Sequence, residues 1–444
     1  MVAHCGTFIY DPPTFTFFKN LQRRIRMFRS KTIRILLLVV LIFAGRAVYA
    51  QTINVNEFQP LPAEPKSSGW DSGFYLRSAD DNFKMKVGGK VQVQQITQKK
   101  TGLQKIFNSS TGRFTTPDSF SDTFAVRRAS IMTSGTIYEK VDWAAVVQTS
   151  TGQPGTATQR ILFLGDVAYN VAPYFSIDMG MVSLPFEKSV SSSWLLAVEP
   201  PVTATQTDGL KDLTIARQSF GPSDDLGLTL SGDVGKYFRY EAGVVNGSGF
   251  IPQNADNNLS YGGRLQFNVM GSIPPSQTDF AWSETPNVVL GLGTIYEDVQ
   301  APDDFVATTT RKWDWSSVGD FAFRYRGFAL NGAGYYRKSK YISTAGVPVV
   351  DTNADGYLID KGYYANAGYY VMPKKLELQI NAAQIFREGA DNDANEFGGG
   401  LNWYIHKNNV KLQLDYSRVL DYDAVPGLNN ATYHRVRTMF SLIL

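Results

Sequence analysis

The 444-residue chain carries one cysteine and three histidines. Cys5 and His4 both fall within the first fifty residues, so the body of the chain has no thiol and only His406 and His434. A disulfide scaffold, a thiolate zinc site and a cysteine nucleophile are thereby excluded from the body. An excess of base is also lacking. Lys and Arg together number 43 against 40 Asp and Glu, but residues 1–50 hold eight of the bases (Lys19, Arg23, Arg24, Arg26, Arg29, Lys31, Arg34, Arg46) and one acid, Asp11. The remainder has 35 bases against 39 acids, a net −4, which excludes a basic nucleic-acid-binding domain. Past Ala50 no segment approaches the roughly 18 consecutive apolar residues that a transmembrane helix needs.

What the first fifty residues do have is the layout of a secretory signal peptide. Arg29, Lys31 and Arg34 form a charged n-region, Ile35 to Ala44 is an unbroken apolar run, and Val48-Tyr49-Ala50 precedes Gln51 as a cleavage site. An uncleaved anchor is the alternative. Met27 stands directly before the n-region, so residues 1–26 read as an upstream extension of the reading frame. Residues 51–72, with Pro60, Pro62 and Pro65, read as a Pro-rich periplasmic linker, and residues 73–444 as a single domain.

Within that domain the hydrophobic period is two. Phe83, Met85, Val87, Val91 and Val93 alternate with Lys84, Lys86, Lys90, Gln92 and Gln94, and Val410, Leu412, Leu414 and Tyr416 alternate with Lys411, Gln413, Asp415 and Ser417. Alternation of this kind marks a strand with one apolar and one polar face. Sixteen such segments are expected, near 83–96, 123–137, 141–150, 160–171, 174–183, 226–233, 237–246, 260–270, 287–297, 316–326, 328–340, 361–371, 375–386, 396–406, 409–420 and 432–444. After even-numbered segments the connections are tight, as at Glu139-Lys140, Gly327 and Lys407-Asn408. After odd-numbered ones they are mostly long and polar, as at 184–225. One even connection, 271–286, is too long for the rule. Short turns at one end and long loops at the other predict an all-β fold, a transmembrane antiparallel β-barrel of about 16 strands with periplasmic turns and extracellular loops. A soluble β-sandwich would explain the alternation but not the loop asymmetry. Tyr335, Tyr336, Tyr363, Tyr364, Tyr369, Tyr370, Trp403 and Tyr404 are expected in aromatic girdles at the membrane interfaces.

Several stretches resemble the phosphate-selective porin O and P family, in order and spacing. They are Gly73 to Ser78 leading to Phe83 to Gly89, Phe124 to Ala129, Gly165 to Asn170 through Gly180 to Pro185-Phe186-Glu187, Tyr240 to Gly247, Gly362 to Tyr370 and Leu401 to Tyr404. The resemblance spans residues 73–444. It implies a sixteen-stranded homotrimeric porin of a Gram-negative-type outer membrane, with a third extracellular loop folded inward; here that loop is 184–225.

A porin works through lumen-facing charge. The polar phase of the strands offers the bases Lys84, Lys86, Lys90, Arg128, Arg239, Arg264, Arg324, Arg326, Lys411, Arg435 and Arg437, against the acids Asp142, Asp166, Asp178, Glu241, Glu377 and Asp415. Such an excess predicts either a modest preference for small anions such as phosphate, or charges that pair between strands and merely solvate the wall. The constriction loop contributes Lys188, Lys211 and Arg217, yet it is acidic overall, which argues against strict phosphate specificity. Asp351, Asn353 and Asp355, with Asp360 nearby, resemble the first half of a calcium-binding loop, although Gly362 stands where a closing Glu belongs. An ordinary Asx/Gly turn is the alternative. No other cofactor is expected. Neither His406 nor His434 falls in a catalytic constellation, so no enzyme is expected. The expectation is a passive diffusion porin for small anionic or neutral solutes, contacting outer-membrane lipid and no nucleic acid; the alternative is a structural or adhesive barrel with a plugged lumen.

Overall fold

The computed structural model describes residues 67–70, 73–101, 106–108, 113–115, 119–150, 160–188, 214–222, 224–247, 258–274, 276–302, 309–343, 356–388, 393–420 and 432–443. Its strands are β1 (Ser68–Trp70), β2 (Phe74–Arg77), β3 (Phe83–Thr101), β4 (Ile106–Asn108), β5 (Arg113–Thr115), β6 (Ser119–Ile137), β7 (Val141–Ser150), β8 (Arg160–Ala172), β9 (Phe175–Ser183) and β10 (Asp224–Val234). They continue as β11 (Phe238–Val245), β12 (Ser260–Met270), β13 (Asn287–Pro302), β14 (Thr309–Tyr325), β15 (Phe328–Ser343), β16 (Tyr357–Met372), β17 (Leu376–Arg387), β18 (Ala394–His406), β19 (Val410–Leu420) and β20 (Thr432–Ile443). One helix is described, α1 (Ile215–Phe220). β4 and β5 pair only with each other, and β1 and β2 form a short hairpin against β3.

The remaining sixteen strands close into one antiparallel barrel. Closure is made at β3, whose one edge pairs with β20 from Thr101 opposite Thr432 to Lys90 opposite Ile443. Its other edge pairs with β6 from Phe83 opposite Ile137 to Lys100 opposite Ser119. A closed ladder leaves no row of unpaired N–H and C=O groups facing hydrocarbon, which is the condition for a sheet to span a bilayer. The period-two sequence then sorts itself by face. On β13, Leu290 and Leu292 are 46% and 59% exposed on the outer surface while Val289, directly before them, is fully buried inside. Phe163, Val167, Leu265, Ile380 and Phe440 extend the same exposed apolar belt around the wall. The fold is a transmembrane β-barrel.

The turn rim is built as the short connections require. Arg326 and Gly327 both take left-handed backbone angles, φ 44° and 79°, and join β14 to β15 in a two-residue hairpin. Strands run further toward the loop rim than the alternation suggested: β6 begins at Ser119 rather than 123, and β14 at Thr309 rather than 316. Above the apolar belt both faces are wet, so the alternation fades while the hydrogen-bond ladder continues. The aromatic assignment needs correction. Tyr335, Tyr370 and Tyr404 are 4%, 1% and 2% exposed and point inward, as does half-buried Tyr364. Tyr363 and Tyr369 stay on the outer surface. Adjacent residues of a strand face opposite ways, so a Tyr-Tyr pair can place only one ring in a girdle. Part of the expected linker is also structured, since Ser68–Trp70 pairs with Phe74–Leu76. The leader, residues 51–66 and residues 71–72 lie outside the described residues.

Leu292→Arg places a charge in the apolar belt, between Leu265 and Gly319 on the neighbouring strands. It is predicted to destabilise the barrel by about 2–4 kcal/mol in urea unfolding from lipid vesicles.

Candidate functional site

The barrel interior is the candidate site. Strand register turns the side chains of Lys84, Lys86, Lys90, Arg128, Arg239, Arg264, Arg324, Lys411, Arg435 and Arg437 inward. Arg128, Arg264, Arg324, Lys411, Arg435 and Arg437 are each under 4% exposed. Arg326 is not among them. It sits in the β14–β15 turn, exposed, with its guanidinium 5.3 Å from the Tyr325 ring, because the alternation that seemed to include it ends at Tyr325. Lys84 and Lys86 lie below the end of β20, where β3 pairs with β2 instead, and so belong to the turn rim.

Period counting missed Arg127. β3 and β6 slip register here, Gln92 facing Arg128 and Val93 facing Val126, so Arg127 is the extra residue of a β-bulge. Arg127 and Arg128 are buried side by side at 4% and 2% exposure, with Arg128 donating to Gln92 at 3.0 Å. The acids were undercounted as well. Asp225, Asp314, Asp320, Asp360 and Glu396 also face inward, and Arg337 joins the bases. The interior is therefore close to charge balance instead of strongly basic. Asp225, Asp314 and Asp360 escaped because they lie just beyond the strand ends that the alternation marks.

Charge is segregated around the wall. On β10 to β14 a compensated chain runs Asp233–Arg239–Glu241–Arg264–Asp320. Arg239 lies 3.0 Å from each of its acids, Arg264 lies 3.9 Å from Glu241, and Arg264 is held bidentately by Asp320. On the inner face of β19, β20, β3 and β6 stand Lys411, Arg435, Arg437, Lys90, Arg127 and Arg128. Among the described residues of those four strands Asp415 is the one inward acid, 2.9 Å from Arg437.

Two inserts fill the other side. Residues 184–188 leave β9 and run along the interior. A Cβ on Gly262 would meet Leu184, one on Gly243 would meet Pro185, and one on Gly293 would strike the Phe186 carbonyl at 1.9 Å. At the far end of the same loop, α1 is wholly internal. Its Ile215 N–H donates to Glu396 at 2.7 Å, and Ser219 O accepts from Arg337 at 2.8 Å. Phe220 stacks on Tyr335 with centroids 5.3 Å apart. Leu184, Phe186, Ile215, Ala216 and Phe220 join Val245, Ile295, Val318, Ile385 and Val419 in an apolar core inside the barrel. Arg217 is consequently no exposed selectivity charge. It is 4% exposed and ion-paired to Glu187, whose other oxygen accepts from the Tyr335 hydroxyl. Lys211 lies outside the described residues.

The second insert is the long even connection, 271–286, which enters from the turn rim. Ser276 O accepts from Arg324 and Gln277 O from Asn331 at 3.0 Å. Thr278 donates to Glu377 at 2.6 Å, and the Phe280 ring meets Tyr404 edge-on at 4.7 Å and Tyr370 at 5.8 Å. Glu377 is fully buried and also accepts from Asn402 at 3.0 Å and Tyr404 at 2.7 Å. The inserts meet where Lys188 Nζ donates to Ile273 O at 3.1 Å. Burial, with Arg324 nearby, pushes the Lys188 ammonium down to about 7 against a partial pull from Asp320. Beside this junction a cavity of about 630 Å³ lies between residues 183–188 and β8–β12, lined by Asp178, Arg239, Glu241 and Gln266 among others.

Of the calcium set, Asp351, Asn353 and Asp355 lie outside the described residues, and Asp360 is ion-paired to Arg337 at 2.5 Å. His434 faces outward and bonds the Tyr416 hydroxyl at 2.9 Å, while His406 is exposed at the end of β18.

No protein-family model matches the chain, and no curated protein matches its sequence. Solved structures do. An anion-selective porin from Comamonas acidovorans superposes with a TM-score of 0.51 at 10% identity, covering 82% of this chain and 100% of that one. The outer membrane channel DcaP of Acinetobacter baumannii gives 0.48 at 11% identity over 83% and 99%. Salmonella typhi OmpF in complex with daunomycin gives 0.48 at 12% identity over 83% and 100%. At such identity the likeness to the Comamonas porin establishes a shared barrel fold.

Glu377→Ala leaves the Thr278, Asn402 and Tyr404 donors without their acceptor. A loss of about 1–3 kcal/mol is predicted in thermal unfolding, together with faster proteolysis within 271–286. For Lys188 the folded value lies below the unfolded one of about 10.4, so the folded chain binds fewer protons in between. The penalty is full below pH 7 and is relieved as pH rises toward about 10. Lys188→Met is predicted to flatten the stability profile across that window, read by unfolding at stepped pH.

Proposed function

We propose that this chain is an outer-membrane diffusion porin, a passive conduit for small hydrophilic solutes with a modest preference for anions such as phosphate. The observation that carries the reading is the division of the interior. The hydrogen bonds that seat the two inserts fall on β12, β14, β15, β17 and β18, where Arg264, Arg324, Tyr335, Glu377 and Glu396 each bond a group of an insert. The arc of β19, β20, β3 and β6 combines nine inward bases, Lys84, Lys86 and Lys100 toward its rims among them, one inward acid and the neutral donors Gln92, Gln94, Gln98 and Gln413. A polar path walled by low dielectric and lined by fixed cations concentrates anions. Arginines in forked geometry suit phosphate and carboxylate alike, which fits a preference for small anions as a class. The resemblance to the phosphate-selective porins and its implied homotrimer belong to this reading. No catalytic step is proposed.

A second reading, a barrel whose plugged lumen serves structure or adhesion, is favoured by one observation: the apolar core that α1 and residues 184–186 build inside the barrel.

Planar-bilayer recording separates the two. Stepwise conductance with a reversal potential on the anion side in a KCl gradient is expected of the porin, and a membrane that stays silent supports the plug. Arg127→Gln with Arg128→Gln is predicted to move the reversal potential toward cations. Lys84→Gln with Lys86→Gln, at the turn rim, should move it less.

A further inference from the structure

The outer surface carries a charge row that conduction leaves unused. Across the closure seam, Arg418 on β19 stands opposite His434 on β20, which stands opposite Lys99 on β3. On this odd-numbered or even-numbered phase of each strand the neighbours in the next row toward the belt are Tyr416, Val436 and Thr97, and below them Leu414 and Thr438. The three basic side chains thus face outward, at the loop-rim edge of the apolar belt. Adjacent strands lie about 4.8 Å apart, so the row spans roughly 10 Å of one line across the wall. Exposed aromatic rings bracket it. Phe397, opposite Arg418, is 60% exposed, and Phe120, opposite Lys99, is 68% exposed. Phe124, four residues along β6, is 80% exposed.

Among the described residues the nearest outward acid is Asp122, one row down. Its carboxylate accepts from Gln95 and, at 3.3 Å, from Thr97, instead of pairing with Lys99. Among the described residues neither Arg418 nor Lys99 is in an ion pair. The surface chemistry is therefore a guanidinium, an imidazole and an ammonium in line, apolar rings on either side, and hydrocarbon-facing wall beneath.

We infer that this row is a binding site for the phosphorylated headgroup of a lipid in the outer leaflet. Charge complementarity selects phosphate: three donors in line reach two phosphate groups on one headgroup better than a single carboxylate. Position selects a lipid over a free anion, because Phe120, Phe124 and Phe397 offer acyl chains a surface where the headgroup docks. The inference rests on the outer-membrane placement proposed above and is independent of conduction.

The test is native mass spectrometry of the refolded full barrel in detergent, with bis-phosphorylated lipid A as probe. Retention of lipid adducts is expected for the unaltered chain, falling at least tenfold for Arg418→Gln with Lys99→Gln and for lipid A stripped of phosphate. Arg435→Gln, inside the barrel, should bind as the parent does, and excess inorganic pyrophosphate should displace little lipid. Binding that is unchanged in the double variant, or equal for the dephosphorylated lipid, overturns the inference. So does full displacement by pyrophosphate, which would mean a plain anion site. A change of oligomeric state in the double variant without lipid would also overturn it, since the row would then be a contact between copies. Heat-modifiable migration of each variant in phosphate-free vesicles reports folding and insertion, so a failure of the membrane placement is told apart from a failure of the site.

Discussion

The closed hydrogen-bond ladder is the constraint on which the rest of this molecule depends. A sheet with an edge cannot sit in hydrocarbon, because each unpaired backbone group there is worth several kcal/mol. β3 removes the edge by accepting β20 on one side and β6 on the other, over most of its length. Once the ring is closed, side-chain direction is no longer free. Every second residue must face lipid and every other must face the interior, and that fixes which charges can meet. The compensated chain from Asp233 to Asp320 exists because β10, β11, β12 and β14 bring those positions together around the inner wall. The outward row of Arg418, His434 and Lys99 is the same register seen from the other face.

Closure also creates a space that something must fill. Two inserts enter from opposite rims, and each is held by groups that burial makes costly to leave unpaired. Glu377 gathers three donors, and Glu187 is held between Arg217 and Tyr335. Such pairs add less to stability than their Coulomb attraction suggests, but removing one partner is expensive. Their effect is to fix where the inserts lie. The described parts of both inserts are seated on β12, β14, β15, β17 and β18, away from the lysines and arginines of β19, β20, β3 and β6. Net interior charge, close to balance, would predict little selectivity; its placement predicts more.

Much of this was legible in the sequence, for a physical reason. Alternation reports burial on one face, and in a barrel that signal is repeated sixteen times, so strands and short turns were found nearly in place. Features that do not repeat were not legible. The bulge at Arg127 breaks period two by one residue. Tyr335 and Tyr370 looked like girdle residues because composition at strand ends does not report phase. Apolar residues such as Val245, Ile295 and Ile385 occupy the interior phase near the loop rim, and nothing local distinguishes a lumen-filling core from a membrane face. Arg217 read as a selectivity charge because its buried partner, Glu187, is thirty residues away in sequence. Only the excess length of 271–286 hinted that the turn rim sends a second insert inward.

The central claim is that the solute path follows the arc of β19, β20, β3 and β6 while the inserts cover the opposite wall. A body without cysteine allows a direct measurement: single cysteines at Thr123 on β6 and Val289 on β13, exposed to a charged methanethiosulfonate during bilayer recording. Both side chains face inward, Thr123 half-exposed beside the cationic arc and Val289 fully buried with Ile273 of the second insert. Thr123→Cys is predicted to react and reduce the current, with Val289→Cys unreactive. A Val289→Cys that reacts as fast as Thr123→Cys, or a Thr123→Cys that stays inert, contradicts the account.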